Sequence, residues 1–133
     1  MHSTAPRHLA ALDSSAILAV LFDEPGTDTV FPVLKGGLLS TVNLAESHSR
    51  LVSLGAYAPQ SWNRILSLQC QVCPLTEDQA RIAAELVSVT RPFGLSLGDR
   101  ACLALAIEHN ARVYTADRNW KNLSLGIEIE VIR

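Results

Sequence analysis

Four carboxylates occupy comparable places along the chain. Asp13 follows the apolar run "HLAAL", Glu46 lies just after "LLSTV", Asp99 opens "SLGDRACLALAIEHN", and Asp117 directly follows "ARVYTA". In an open α/β sheet, ligands bind outside the carboxyl ends of the strands, where the strand order reverses. Carboxylates at such ends could converge into one acidic, ligand-binding centre. Each acid also has a plainer explanation, because Asp and Glu favour helix amino termini. Asn43-x-x-Glu46 and Ser96-x-x-Asp99 resemble capping boxes, Asp13 and Asp117 could be simple N-caps, and Thr76-x-x-Gln79 shows that this chain caps helices without chemistry. Capping explains each acid singly better than it explains four together. Asp13 in particular precedes the uncharged stretch "SSAILAVLF" and lacks the solvated company of a surface cap.

The elements that must position these acids follow from periodicity and punctuation. Strands are expected in "HLAAL" (8–12), "LLSTV" (38–42), "CQVCPL" (70–75), "ARVYTAD" (111–117) and "IEIEVI" (127–132). Between them lie helical stretches: "SSAILAVLF" closed by "DEPG"; "TDTVFPVLKGG" with Pro32 inside it; "NLAESHSRLVSLG"; "PQSWNRILSLQ" with Pro59 in its first turn; "TEDQARIAAELVSVTRPFG" as one helix over 76–94; and the Ala/Leu-rich helix from Ser96. A short helix, "RNWKNL", precedes the last strand. Short strands alternating with helices predict an α/β fold: a mostly parallel central sheet of about five short strands, with helices on both faces. No repeat or linker interrupts it, and 133 residues, 48% hydrophobic, suffice for a single domain with its own core.

Composition excludes other classes. Eleven Lys and Arg against thirteen Asp and Glu give a net charge of −2, without the basic excess of a nucleic-acid packaging protein. No apolar run approaches the roughly 20 residues that a membrane helix needs. "MHSTAPRH" lacks the basic-then-apolar order of a secretion signal. The expectation is a cytoplasmic protein, with 1–7 as a leader that need not be ordered and 8–133 as the folded domain. Cys70, Cys73 and Cys102 cannot all pair with one another. In an alternating strand Cys70 and Cys73 face opposite sides, and no second ligand pair completes a zinc site, so the thiols read as structural. His48 and His109 have no oriented Ser or Cys partner, Trp62 and Trp120 read as core or interface anchors, and the sequon at Asn122 matters only in a secreted protein.

Taken in order, "LDSSAIL", "TVNLAES", "LSLGDRACLALA" and "VYTADRNW" resemble the acidic motifs of PIN-domain ribonucleases. From about residue 8 onward, and in length, the chain is similar to the VapC-type toxins of toxin-antitoxin systems. The resemblance implies a metal-dependent endoribonuclease in which Asp13, Glu46, Asp99 and Asp117 hold one or two Mg²⁺ or Mn²⁺ ions, and it implies 5′-phosphate and 3′-hydroxyl product ends. It also implies a cognate antitoxin and a homodimer. An all-oxygen donor set suits these hard ions. Supporting roles then suggest themselves. Thr115 shares a strand face with Asp117, Ser14 and Ser15 follow Asp13, and Asn43 is either a helix N-cap or a partner of Glu46. Arg100 and Arg118 adjoin two of the acids and could contact RNA phosphates. The apolar helices "AILAVLF" and "TVFPVL" could expose a groove for an antitoxin tail.

Two other readings compete. A receiver-like phosphoacceptor domain also carries acids at strand ends, but it needs a lysine near the last strand, and the only lysines are Lys35 and Lys121. A PIN-like RNA- or protein-binding module that has lost catalysis is opposed by the complete acidic set.

Overall fold

A computed structural model describes residues 8–133, so the expected leader at 1–7 lies outside the described residues. Five short strands form one sheet: β1 (Ala10–Leu12), β2 (Leu38–Ser40), β3 (Gln71–Cys73), β4 (Arg112–Thr115) and β5 (Ile129–Val131). Their order is β3-β2-β1-β4-β5, and all four pairings are parallel. The chain therefore builds outward from β1 to one side, then returns to its other flank with β4. The reversal falls between β1 and β4, and the crevice outside their carboxyl ends is where such a sheet binds ligands.

The helices are α1 (Ser14–Leu21), α2 (Thr27–Leu34), α3 (Thr41–Ser53), α4 (Ala58–Leu66), α5 (Glu77–Glu85), α6 (Val87–Thr90) and α7 (Leu97–His109). Strand alternation divides their packing between the two faces. Ala10, Leu12, Leu39 and Tyr114 point into a core shared with Ile17 of α1, Val30 of α2, Leu51 of α3 and Ile65 of α4. Ala11, Leu38 and Val113 point the other way, toward Leu103, Leu105 and Ala106 of α7, and toward Trp120. Helices thus cover both faces, as the apolar, β-rich strands require. Among the described residues no helix is long and apolar enough to cross a membrane.

Three local expectations change. The second strand stops at Ser40 instead of Val42, because the Ser40 hydroxyl accepts from the Val42 N–H and caps α3 from there. Asn43 is therefore inside the helix and is not its N-cap. The single helix expected over 76–94 breaks after Glu85 into α5, α6 and a 3-10 turn, Arg91–Phe93. In this stretch the Ser88 and Thr90 hydroxyls bond back to the carbonyls of Glu85 and Leu86, competing with the helical ladder. Gly94, at φ 66°, then ends the turn. "RNWKN" is likewise a 3-10 turn, Arg118–Asn122, which buries Trp120 completely.

Cys70 packs against the first core and Cys73 belongs to the second, in line with opposite faces of a strand, and all three thiols are free. His48 bonds the Ser61 hydroxyl at 3.2 Å and meets Trp62 edge-on at 5.1 Å, which makes it part of the α3–α4 contact.

Candidate active site

Asp13 leaves the end of β1 and is the N-cap of α1, so its backbone role is structural. Its side chain does more. Oδ1 accepts from the Ala16 N–H at 2.9 Å and the Ser15 hydroxyl at 2.7 Å, while Oδ2 accepts from the Thr115 hydroxyl at 2.6 Å. Only 3% of Asp13 is exposed, and burial raises its pKa from 3.8 to about 6. The three hydrogen bonds pull the other way, and the negative charge of Asp99 adds a smaller upward push.

Thr115, at the end of β4, joins two acids. Besides donating to Asp13, its hydroxyl accepts from the Asp117 N–H at 3.1 Å. The Ser15 hydroxyl lies 3.3 Å from that of Thr115 and accepts from the Ala116 N–H, stitching the start of α1 to the end of β4. This network spans the point where the strand order reverses.

Glu46 reaches the same region from α3. Its Oε1 accepts from the Ser14 hydroxyl at 3.1 Å and from Asn43 Nδ2 at 3.0 Å. Asn43 is fully buried, and the same Nδ2 bonds the carbonyl of Gly98 at 3.2 Å, tying α3 to the first turn of α7. The Glu46 carboxyl lies against Gly98 itself. Asp99, the next residue, completes a capping box: Ser96 Oγ accepts from the Asp99 N–H, and Asp99 Oδ2 accepts from the Ser96 N–H. Asp117 caps the 3-10 turn, with Oδ1 accepting from the Asn119 N–H. Convergence has an electrostatic signature as well: Asp13, Asp99 and Glu46 all raise the pKa of the buried Cys102 thiol, after the larger effect of burial.

One pattern recurs in the three less buried acids. Glu46, Asp99 and Asp117 each have one carboxylate oxygen held by a protein donor, while among the described residues Glu46 Oε2, Asp99 Oδ1 and Asp117 Oδ2 accept no hydrogen bond. Anchored on one oxygen and open on the other, such carboxylates suit monodentate cation binding. Among the described residues no three His, Cys, Asp or Glu side chains stand close enough together to hold a metal ion between them. As donors, carboxylates with a free oxygen suit a hard ion that takes few direct protein bonds and retains water, as Mg²⁺ does.

Each of the two arginines makes one hydrogen bond to a backbone carbonyl. Arg100 Nη1 donates to the Ala83 carbonyl at 2.8 Å, binding α7 to α5. Arg118 Nε donates to the Arg133 carbonyl at 3.1 Å, at the exposed edge beside β5. Gly98 was not singled out by sequence. Its only local signal is a glycine in the first turn of a helix otherwise rich in Ala and Leu.

The sheet order, with Asp13 and Asp117 linked through Thr115 across its switch point, defines an α/β protein with carboxylates gathered at the strand ends. The chain belongs to the PIN domain family, whose model matches residues 10–125. No curated protein matches it in sequence. Among solved structures it is similar to a chain of VapBC2 from Rickettsia felis bound to a DNA fragment from their promoter, with a TM-score of 0.70, 18% identity, and 92% of this chain and 97% of that one covered. A toxin-antitoxin complex from Klebsiella pneumoniae gives 0.67 and 15%, covering 91% and 99%. VapBC-5 from Mycobacterium tuberculosis, a member of the VapBC family of toxin-antitoxin systems, gives 0.56 and 22%, covering 96% and 99%. At these identities the likeness to solved structures is one of fold.

Proposed function

We propose that this protein is a Mg²⁺- or Mn²⁺-dependent endoribonuclease and the toxin of a toxin-antitoxin pair. It would act in the cytoplasm as a homodimer restrained by a cognate antitoxin. The observation that carries the reading is the set of anchored, half-free carboxylates Glu46, Asp99 and Asp117 around the buried Asp13. When bound, the metal would supply activation of water and neutralisation of charge on the scissile phosphodiester. The chain's own residues would do the rest. Asp13, gripped on both oxygens by Thr115, Ser15 and Ala16, would fix the centre relative to β1 and β4. Glu46, Asp99 and Asp117 would turn their free oxygens inward, each pre-oriented by its bonded one.

The direct test is cleavage of single-stranded RNA by the purified protein. Cutting in Mg²⁺ or Mn²⁺ that stops in excess EDTA is the expected result. Binding of RNA without cleavage under every metal condition would favour the non-catalytic module instead.

The toxin assignment draws support from the toxin-antitoxin complexes among the structural neighbours. The inner faces of α1 and α2 are spent on the core, but Phe22 and Phe31 stay exposed, 41% and 67%, and offer an apolar surface for an antitoxin segment. Expression of the protein alone should arrest growth, and co-expression of the short reading frame upstream of its gene should relieve the arrest. Folded, active protein that causes no arrest would sink the toxin assignment while leaving the nuclease intact.

A further inference from the structure

We infer that Gly98 is a positioning residue for the candidate active site: its missing side chain is what seats the Glu46 carboxylate against the first turn of α7, beside Asp99. A Cβ built on Gly98 would meet Glu46 Oε2, Cδ and Oε1, all three belonging to that one carboxyl group. Nothing else in the fold asks for glycine here. Unlike Gly26 or Gly94, Gly98 does not have the left-handed backbone that favours glycine. It lies in the first turn of an α-helix, where alanine has the higher intrinsic propensity. Gly98 is also buried, and its carbonyl is held by the same Asn43 amide that holds Glu46 Oε1, so the gap and the carboxylate that fills it are aligned by one side chain. Close approach to a helix amino terminus also places the carboxylate where the backbone dipole favours negative charge.

As an effect on metal binding the inference rests on the proposed function; as a contact it does not. The colliding atoms end a flexible side chain, so Gly98→Ala should displace Glu46 while the fold persists. The experiment is a double-mutant cycle of Gly98→Ala and Glu46→Ala on the full chain, read twice. Thermal melts in EDTA should show the alanine at 98 raising the melting temperature more when Glu46 is already removed than in the wild type. Titration with Mn²⁺, followed calorimetrically, should show Gly98→Ala weakening binding by about tenfold or more, the scale of losing a partner that orients a ligand. In the Glu46→Ala background it should cost nothing further. Additive melts, or a Gly98→Ala protein that binds Mn²⁺ as the wild type does, would overturn the inference. Coupled melts in a wild-type protein that binds no Mn²⁺ would support Gly98 as the seat of Glu46 and defeat the metal-dependent reading instead.

Discussion

Replacing Asp99 with Asn is expected to reduce RNA cleavage by more than about a hundredfold while leaving the melting temperature nearly unchanged. Asp99 has one observed role and one proposed role, and the two are separable. Its Oδ2 closes the capping box with Ser96, and Asn can supply the same acceptor to the Ser96 N–H. Its Oδ1 is free among the described residues, and what Asn lacks is the charge needed to bind a divalent ion and hold it near a phosphate. Charge stabilisation of this kind is worth several kcal/mol in the transition state, and about 3 kcal/mol is already more than a hundredfold in rate. Initial rates on a single-stranded RNA, together with thermal melts of both proteins, make the comparison. Undiminished cleavage by the variant would remove Asp99 from the active site and leave it as a helix cap.

Asp13 should behave in the opposite way, because its cost lies in the metal-free fold. Its folded pKa, about 6, is raised above the ordinary 3.8, chiefly by burial. The native state therefore binds more protons than the unfolded chain between those values. The stability Asp13 contributes is full below about pH 3.8 and is lost as pH rises through about 6. The difference corresponds to about 3 kcal/mol at neutral pH. Asp13→Asn removes that dependence and keeps the cap on the Ala16 N–H. Part of the gain is returned, since an amide facing Thr115 needs the threonine hydroxyl to accept where it now donates. A net rise of ~1–2 kcal/mol, several degrees for a domain of this size, is expected in EDTA at pH 7 and should vanish near pH 4. Millimolar Mn²⁺ should then stabilise the wild type more than the variant; a hundredfold excess over Kd is worth about 2.7 kcal/mol to a native-only site. Melts of both proteins, with EDTA and with Mn²⁺, give four numbers. If the variant melts well below wild type in EDTA and gains equally from Mn²⁺, Asp13 is a structural cap alone.

Much of this was legible because the relevant signals are local. Each strand is a short apolar or β-branched run, and Asp13, Glu46 and Asp117 follow such runs closely, so both the α/β alternation and the candidate acids could be read in order. The features that escaped depend on contacts between distant segments. Asn43 reads as a cap because "LLSTV" is strand-like through Val42, whereas the strand ends at Ser40, which caps the helix. Arg100 adjoins an acid in sequence, and the bond from its Nη1 to the Ala83 carbonyl is one that only helix packing brings about. The break after Glu85 reflects side chains competing with the helical backbone, which helical periodicity does not register. Gly98 could not be recognised at all without knowing which carboxylate lies across it.

The sheet order also governs when the crevice can exist during synthesis. The first three strands form one contiguous half, so β1, β2 and β3 can pair as soon as residue 73 is available. The other flank of β1 pairs Ala10 with Arg112 and waits for β4. At ~5–20 residues per second, the chain between those strands takes seconds to emerge. During that interval Asp13 lacks Thr115, and the acidic centre lacks Asp99 or Asp117. A chain that stops short of β4 lacks both Thr115 and Asp117, so the carboxylate network around Asp13 cannot form in it. The same half-built sheet leaves the apolar edge Ala10–Leu12 open to pairing with other chains. Incomplete products should accumulate as aggregates.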